Sequence, residues 1–373
     1  MNRPRRGLRD RRRLALTLLA MAGAAAAPAN AAPLDALLTA TPERSAPTAT
    51  LEVAVDRLNH QLDFSKPDPN NPSSLTTTTG DYRGGHLAGT VRVANGLWLS
   101  GSLWQRALGD DIDTFRYQSW QASGLYRFID GGGAVPALAL RLSAWGNRAK
   151  VTETTTPVRV PGAILDSVTV SQPSDRQLQA DLIGTWKLSP SLDLSAQLGG
   201  GSTRLDFAAL TATTRRNGCS YKLSFTGNDI FGELVGTCNA SGGVIRQFFD
   251  SSGDYGVDVA KEIAWRGRFA QAGLNLAWRD GPWALQGGYL LHLVRRDDVD
   301  NILASRASPV YRRNQIIELE AGYDVSQNLG VFARSELSSH LFLHDLPVTY
   351  NTSTSGRFGS RFSLFSLGLR ARF

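Results

Sequence analysis

The sequence predicts an all-β chain that closes into a transmembrane, up-and-down antiparallel β-barrel of twelve strands, with fourteen as the alternative. Three observations predict this fold. Many segments alternate apolar and polar side chains for longer than the roughly 9–11 residues that a tilted strand needs to cross a membrane. Connections after even-numbered strands are short, and those after odd-numbered strands are longer. The number of strands is even, so both chain ends fall at the same end of the barrel, on the side of the short turns.

Each predicted strand has one apolar face and one polar face. Asn95-Gly96 is the strongest turn signal, because a type I′ hairpin needs positive φ at both central residues. The phase of the first strand slips, which predicts a bulge near Asp56-Arg57. The predicted strands are Leu51–Phe64, Tyr82–Ala94, Leu97–Leu108, Thr114–Ile129, Pro136 to about Val151, Arg176–Leu188, Leu192 to about Leu205, a strand ending at Trp278, Trp283–Val294, Asn314–Val325, Leu329–His340 and Arg361–Phe373.

The longest connection, about 206–260, contains both cysteines of the chain. Cys219 and Cys238 are expected to pair in an oxidising compartment and so to close an outer loop. Two weakly strand-like pieces, Tyr221–Phe225 and Val244–Phe249, lie in the same connection. A wall of fourteen strands follows if these two pieces join it as a hairpin.

The N-terminus predicts export. Residues 1–31 combine a basic stretch, a short apolar run and a small-residue end, which is the pattern of a secretory signal cleaved after Ala31. Residues 32–49 are expected to form a periplasmic tether, and 50–373 the barrel. The signal holds seven Arg and one Asp, so the remaining chain has 33 basic and 32 acidic residues. This balance removes the compositional support for a nucleic-acid partner.

The last strand carries a recognisable pattern, with Ser366, Gly368, Ala371 and Phe373 at fixed spacing. It resembles the C-terminal signature of Gram-negative outer-membrane β-barrels, although Ala371 stands where a larger apolar residue is usual. The resemblance implies an outer-membrane location, contact with lipid and lipopolysaccharide, and recognition of this strand by the barrel-assembly machinery. Gly368 and Phe373 would carry that signal.

Because the apolar set marks the lipid face, the opposite set predicts the lumen. Arginines on the early strands would face carboxylates on strand ten, which sets up a transverse field across a narrow pore. The alternative is that charges on neighbouring strands pair and close the lumen with salt bridges. The predicted pore-lining residues are Arg92, Arg127, Arg141, Glu318, Glu320, Arg334, Glu336 and Arg370.

Aromatic residues are expected at the membrane boundary and in the lumen. Near the short turns lie Trp186, Trp278, Trp283, Tyr126 and Phe128, which fit an interfacial girdle. For the less clearly phased Trp98, Trp104 and Trp145, girdle or lumen packing is favoured over carbohydrate stacking.

Few residues could carry catalysis. His340, His344 and Asp345 lie with Ser338 and Ser339 near the outer end of strand eleven, where a lipid hydrolase would meet its substrate. Neither the His-x-Ser segment of outer-membrane lipid hydrolases nor another active-site signature is present, so no catalytic residue is assigned. The acidic runs at 110–113 and 297–300 lack the regular spacing of a calcium loop, and neither a metal site nor a cofactor is predicted.

The sequence therefore predicts a porin-like, narrow channel for small hydrophilic or charged solutes. A lipid-modifying hydrolase and a structural or adhesin-like barrel with an occluded lumen are the alternatives.

Overall fold

The computed structural model describes residues 48–58, 82–109, 114–155, 157–160, 163–236, 238, 244–255, 257–340, 342–352, 354–359 and 361–373. The predicted signal, most of the tether, the first outer loop and the acidic run at 110–113 lie outside these residues. The described chain forms nineteen strands, labelled β1–β19 in chain order.

Twelve strands form a closed, antiparallel barrel wall, as the sequence predicts. Each pairs with its neighbour in the wall, and β1 closes the ring against β19, with Thr50 opposite Arg372. The wall strands are β1 (Ala49–Leu58), β2 (Tyr82–Ala94), β3 (Leu97–Gly109), β4 (Thr114–Ile129), β5 (Ala137–Arg148), β9 (Ser174–Ser189), β10 (Leu192–Asp206), β15 (Arg266–Asp280), β16 (Trp283–Arg296), β17 (Arg313–Asp324), β18 (Leu329–Ser338) and β19 (Phe362–Arg372).

The side chains of the wall alternate between a buried inner face and an exposed outer face, most regularly on β15 and β17. Leu178, Leu198 and Leu367 are each more than 60% exposed and point outward, whereas Arg141 and Arg334 are buried inside. This is the arrangement of a membrane-spanning barrel, because lipid covers the outer apolar band.

The ends of the barrel differ in the length of their connections. Short turns join β2 to β3, β4 to β5, β9 to β10, β15 to β16 and β17 to β18 at one end. Gly96 has a φ of +75° in the first of these turns, and a Cβ there would meet the Arg127 carbonyl, so glycine is required. In outer-membrane barrels the short turns face the periplasm, and we call this the inner end.

The predicted girdle lies at the inner end. Trp283 stacks edge-to-face on Tyr323 with ring centroids 4.8 Å apart, and Tyr126, Phe128 and Trp283 are exposed. The less clearly phased Trp98, Trp104 and Trp145 are buried in the lumen instead, as packing residues.

A second, seven-stranded sheet is built from two outer connections. Its order is β14-β13-β12-β11-β8-β6, with β7 paired to β8, so the weakly strand-like pieces form an outer sheet and do not join the wall. The wall therefore has twelve strands and not fourteen. The strands are β6 (Val151–Thr154), β7 (Val158–Val160), β8 (Ala163–Ser171), β11 (Ala209–Arg216), β12 (Cys219–Thr226), β13 (Asp229–Val235) and β14 (Gln247–Ser251).

The predicted bulge in the first strand is wrong. Pairing of β1 with β2 continues without a register shift from Ala49 to Leu58, and pairing with β19 continues through Arg57. Glu52, Ala54 and Asp56 are all buried on the lumen face, so β1 keeps one phase, and Leu58, the apolar residue of opposite phase, is its last residue.

The part of the chain that the structure describes contains two short helices, α1 (Val259–Ile263) and α2 (Val299–Ser305), both in outer connections. Single 3-10 turns span Ser252–Tyr255, Pro347–Thr349 and Ser355–Gly359. Among the described residues, no helix combines the length and the apolar character needed to span a membrane.

Cys219 and Cys238 are bonded, as expected, and close a loop within the outer sheet. Replacing both with serine should destabilise that sheet by about 3 kcal/mol in the chain-entropy model, since the loop has about 20 residues. Limited proteolysis of cells should then cut near β12 at lower protease concentration than in the wild type. The heat-induced gel shift of the barrel is the control and should not change; equal protease resistance of both forms would contradict the prediction.

Candidate functional site: the barrel lumen

Many of the side chains that line the lumen are polar, and they are buried. Buried lumen-facing groups occur on every wall strand, and they include both charges and amides. Of the predicted pore-lining residues, Arg141, Glu318, Glu320, Arg334 and Glu336 are buried, whereas Arg92, Arg127 and Arg370 are partly exposed. All eight lie on the inner face of the wall, and their role in passage of a solute remains a prediction.

Four of these residues pair with one another instead of forming facing walls. Arg334 on β18 contacts Glu320 through Nη2 at 2.7 Å and Glu318 through Nε at 3.3 Å, both on β17. Arg370 on β19 reaches the same Glu320 at 2.9 Å. The carboxylates of strand β17 are therefore neutralised by their neighbours, which is the second of the two arrangements that the sequence allows.

This network extends to the first two strands. Glu52 on β1 accepts hydrogen bonds from Arg334 at 3.1 Å and from Arg370 at 2.8 Å. The ring of His86 on β2 lies between Glu52 and Asp56, with Nε2 and Nδ1 about 3 Å from the two carboxylates. We call this set of residues on β17, β18, β19, β1 and β2 the charge network.

The predicted pore-lining residues do not include Glu52, Asp56 or His86. The signal was present, because Glu52 and Asp56 have the same alternating phase, opposite the exposed Val53 and Val55. The predicted bulge hid it.

Another ion pair lies on the side of the lumen opposite the charge network. Arg141 on β5 donates from Nε and Nη2 to the Asp181 carboxylate on β9, at 3.0 and 2.9 Å. Gln179 and Gln271 also donate to Asp181. Arg141 is thus paired with a carboxylate that the sequence analysis did not assign to it. Because the arginine is neutralised locally, the predicted field between an arginine wall and an acidic wall is largely cancelled.

The outer mouth is closed by a loop. Residues 342–352 and 354–359, between β18 and β19, enter the barrel, and we call them the plug. Phe342, Leu346 and Tyr350 are each at most 3% exposed, as core residues of a globular protein are. They pack against wall side chains in two apolar clusters, one containing Trp145 and Trp265 and the other containing Tyr82 and Phe362.

Polar contacts also hold the plug in place. Asn147 on β5 donates to the Asp345 carbonyl at 2.9 Å, and the backbone N–H of Val348 donates to Asp175 on β9 at 3.0 Å. The indole of Trp265 donates to the Tyr350 carbonyl at 2.8 Å. The plug is therefore fitted to this lumen by specific hydrogen bonds as well as by apolar burial.

His344 of the plug meets a wall histidine. Its ring lies 4.4 Å from the ring of His292 on β16, in an edge-to-face arrangement, and both rings are buried. Burial lowers the pKa of His344 from its ordinary value near 6.5 to about 3, because the charged imidazolium would lose its hydration. The plug is thus docked with a neutral histidine.

A cavity of about 330 Å³ opens at the inner end, and we call it the inner vestibule. Its lining residues are Arg92, Asn95, Gly96, Trp98, Arg127, Phe128 and Asp130. The Arg127 guanidinium lies over the Trp98 ring at 5.2 Å from its centroid and contacts Asp130 at 3.1 Å. Trp98, Leu125, Ala139 and Ile183 form a buried apolar cluster.

The candidate hydrolase residues are not arranged for catalysis. The hydroxyls of Ser338 and Ser339 both donate to Asn314, at 2.9 and 3.0 Å. The His340 ring contacts the Phe358 carbonyl at 3.1 Å, and His344 packs on His292. These contacts give neither serine an imidazole base, which nucleophilic catalysis would need. Among the described residues, no group of three or more His, Cys, Asp or Glu side chains could hold a metal ion.

The two residues of the predicted assembly signal lie on the closing strand. Gly368 sits beneath the Phe332 ring, where an added Cβ would overlap that ring and the Val53 carbonyl. Phe373 exchanges two backbone hydrogen bonds with Ala49 and leaves its side chain exposed. Packing therefore explains the glycine, and recognition of this strand by assembly proteins stays a prediction.

Comparisons with known proteins return barrels. No protein-family model matches the chain, and no curated protein matches its sequence. Among solved structures, the translocator domain of the autotransporter NalP from Neisseria meningitidis is 10% identical, with 91% of this chain and 93% of that chain covered and a TM-score of 0.49. The NanC porin is 8% identical over 87% and 100%, with a TM-score of 0.41. The β domain of the Bordetella autotransporter BrkA is 12% identical over 88% and 100%, with a TM-score of 0.40.

Proposed function

We propose that this chain is a gated, narrow channel of the Gram-negative outer membrane for small hydrophilic or charged solutes, closed in the conformation described here. The observation that supports it is a polar lumen whose outer half is closed by a loop. A plug that belongs to a connection between strands can leave without breaking any hydrogen bond of the wall ladder. Loops of this kind are common gating elements.

The composition of the lumen supports a path for polar solutes. Below the plug, the lumen-facing side of the wall carries charged side chains and also buried amides, among them Gln177, Gln197 and Asn275. A filled barrel with no transport role could use apolar side chains there, which need no hydrogen-bond partners. The charge network would make the open path narrow and would favour small solutes.

Conductance tests this proposal. Deleting 342–358 and joining the ends with a short Gly-Ser linker removes the apolar residues that fill the outer mouth, so the purified variant should give stable conductance steps in planar lipid bilayers. The wild type should show only rare, brief openings. A matched control deletes the β12–β13 hairpin, which lies outside the lumen, and should behave like the wild type. If the plug-deleted barrel is folded by its gel shift but does not conduct, the channel proposal fails.

Location and assembly follow the same proposal. Export by residues 1–31, insertion by the barrel-assembly machinery through the strand that carries Gly368 and Phe373, and contact with lipopolysaccharide all suit a barrel with an outer apolar band. Outer-membrane fractionation of cells that express the chain tests the location. No enzymatic role is proposed, since the serine and histidine contacts give no activated nucleophile.

A second candidate function is display of the outer sheet on the cell surface. The observation that favours it is a disulfide-closed sheet with its own buried cluster, including Ala212, Tyr221, Leu223 and Ile230. A pore does not require a folded outer sheet with its own buried cluster. The test is adhesion of whole cells. Loss of adhesion in cells that lack the protein, together with normal adhesion in cells that carry the plug-deleted barrel, would support the display function.

A further inference from the structure

We propose that the inner vestibule is a binding site for a small organic carboxylate that reaches the barrel from the periplasmic side. The inference deepens the proposed function, on which it rests, because it names the class of solute that the channel would admit. It is carried by three features of the vestibule: its volume, its charge and its hydrogen-bond donors.

The volume suits a small molecule. At about 330 Å³ the vestibule lies at the lower end of the range of ligand pockets, which is roughly 300–1,000 Å³. Its position next to the short turns, with Asn95 and Gly96 in its lining, gives access from the inner end. The buried apolar cluster that contains Trp98 and Leu125 adjoins the vestibule through Trp98.

The charge of the lining favours an anion. Two guanidinium groups, Arg92 and Arg127, face a single carboxylate, Asp130. The side chain of Asp130 is 57% exposed, so its pairing with Arg127 is screened by water. Arg92 makes no ion pair with any residue that the structure describes, and its side chain is half-buried. An incoming anion would therefore meet one uncompensated positive charge.

The donors favour a carboxylate. A guanidinium presents parallel N–H groups that match the two oxygens of a carboxylate, which adds geometric selectivity to the charge. Trp98 adds a third donor, because it is 3% exposed and its indole Nε1 has no hydrogen-bond partner among the described residues. A buried donor without a partner is uncommon in folded proteins and gains from an oxygen ligand. The lining thus offers two guanidinium groups and one indole N–H to a single anionic group.

Calorimetric titration of the purified full-length barrel in detergent tests this site. Succinate is the probe, and succinamide, its uncharged diamide, is the matched ligand of similar size. Succinate should bind, and succinamide should bind at least tenfold more weakly. Equal binding of the two, or tighter binding of inorganic phosphate than of succinate, would overturn the assignment.

Variants locate the site. Arg92→Gln and Arg127→Gln should each weaken succinate binding at least tenfold, and Trp98→Phe should weaken it several-fold. Arg148→Gln at the outer end of β5 is the control and should not change binding. Asp130→Asn removes the competing carboxylate on the exposed rim and should tighten binding at least threefold. Unchanged affinity in Arg127→Gln, in a barrel folded by its gel shift, would overturn the proposal.

The succinate-binding experiment can fail or succeed independently of the conductance experiment that tests the channel proposal. Binding is measured on the closed wild type and needs no conduction. If the plug-deleted barrel conducts and succinate does not bind, the channel stands and this site falls. If succinate binds and the plug-deleted barrel does not conduct, the site stands and the channel falls.

Discussion

Replacing Arg334 with methionine should lower the free energy of unfolding of the barrel by about 3–5 kcal/mol, the usual cost of removing one partner from a buried ion pair. Arg334 contacts Glu52, Glu318 and Glu320, and its side chain is only 7% exposed. Without it, Arg370 remains as an arginine partner of Glu52 and Glu320. The midpoint of the heat-induced gel shift in urea measures the loss.

Two further variants isolate the electrostatic cause. Arg313→Met changes an exposed arginine on β17 and should leave the midpoint unchanged. Combining Arg334→Met with Glu318→Gln and Glu320→Gln removes the uncompensated charges and should recover much of the stability. If the triple variant is no more stable than Arg334→Met alone, lost packing and not unpaired charge is responsible.

If the barrel is the proposed channel, acid should open it, because His344 is docked in its neutral form. When the plug leaves the lumen, the pKa of His344 returns from about 3 to its ordinary value near 6.5. Above pH 6.5 both states are neutral, and the histidine does not affect the equilibrium. Between pH 6.5 and pH 3 only the released plug binds the proton, so docking weakens by about 1.4 kcal/mol per pH unit.

Opening frequency in planar bilayers measures this effect. From pH 7.5 to pH 5 it should rise roughly thirtyfold. His344→Phe keeps an aromatic ring against His292 and removes the titrating group, so it should lose most of the response. The plug-deleted barrel controls for other effects of acid on the lumen. Equal opening frequencies of the wild type at both pH values would contradict the prediction.

The wall could be predicted almost completely from the sequence. Strands such as β15 and β17 show clean alternation, since lipid and lumen impose opposite polarity on successive side chains. The outer sheet could not be predicted as well. Val158–Val160 and Ala163–Ser171 lie in a connection with Thr, Pro and Ser, and their partners β11 and β6 are distant in sequence or short. Pairing between loops leaves no periodic signal as strong as that of the wall.

The sequence predicts that certain charged residues face the lumen, but it does not predict which of them form ion pairs. Phase alone places Glu318, Glu320, Arg334 and Arg370 inside, but it does not determine which charges meet. That choice depends on the shear of the barrel, which brings Glu52 on β1 to Arg370 on β19. The plug was unpredictable for another reason. Phe342, Leu346 and Tyr350 lie outside the strands and helices, and each fills a space that exists only after the ring has closed.

The seam between β1 and β19 has a consequence for biogenesis. It joins residues such as Glu52 and Arg370, which are 318 positions apart in the chain. An intermediate that lacks either β1 or β19 leaves a strand edge unpaired. Each unpaired backbone N–H or C=O group costs several kcal/mol in hydrocarbon. The wall therefore cannot close before the last strand of the chain is available to pair with the first.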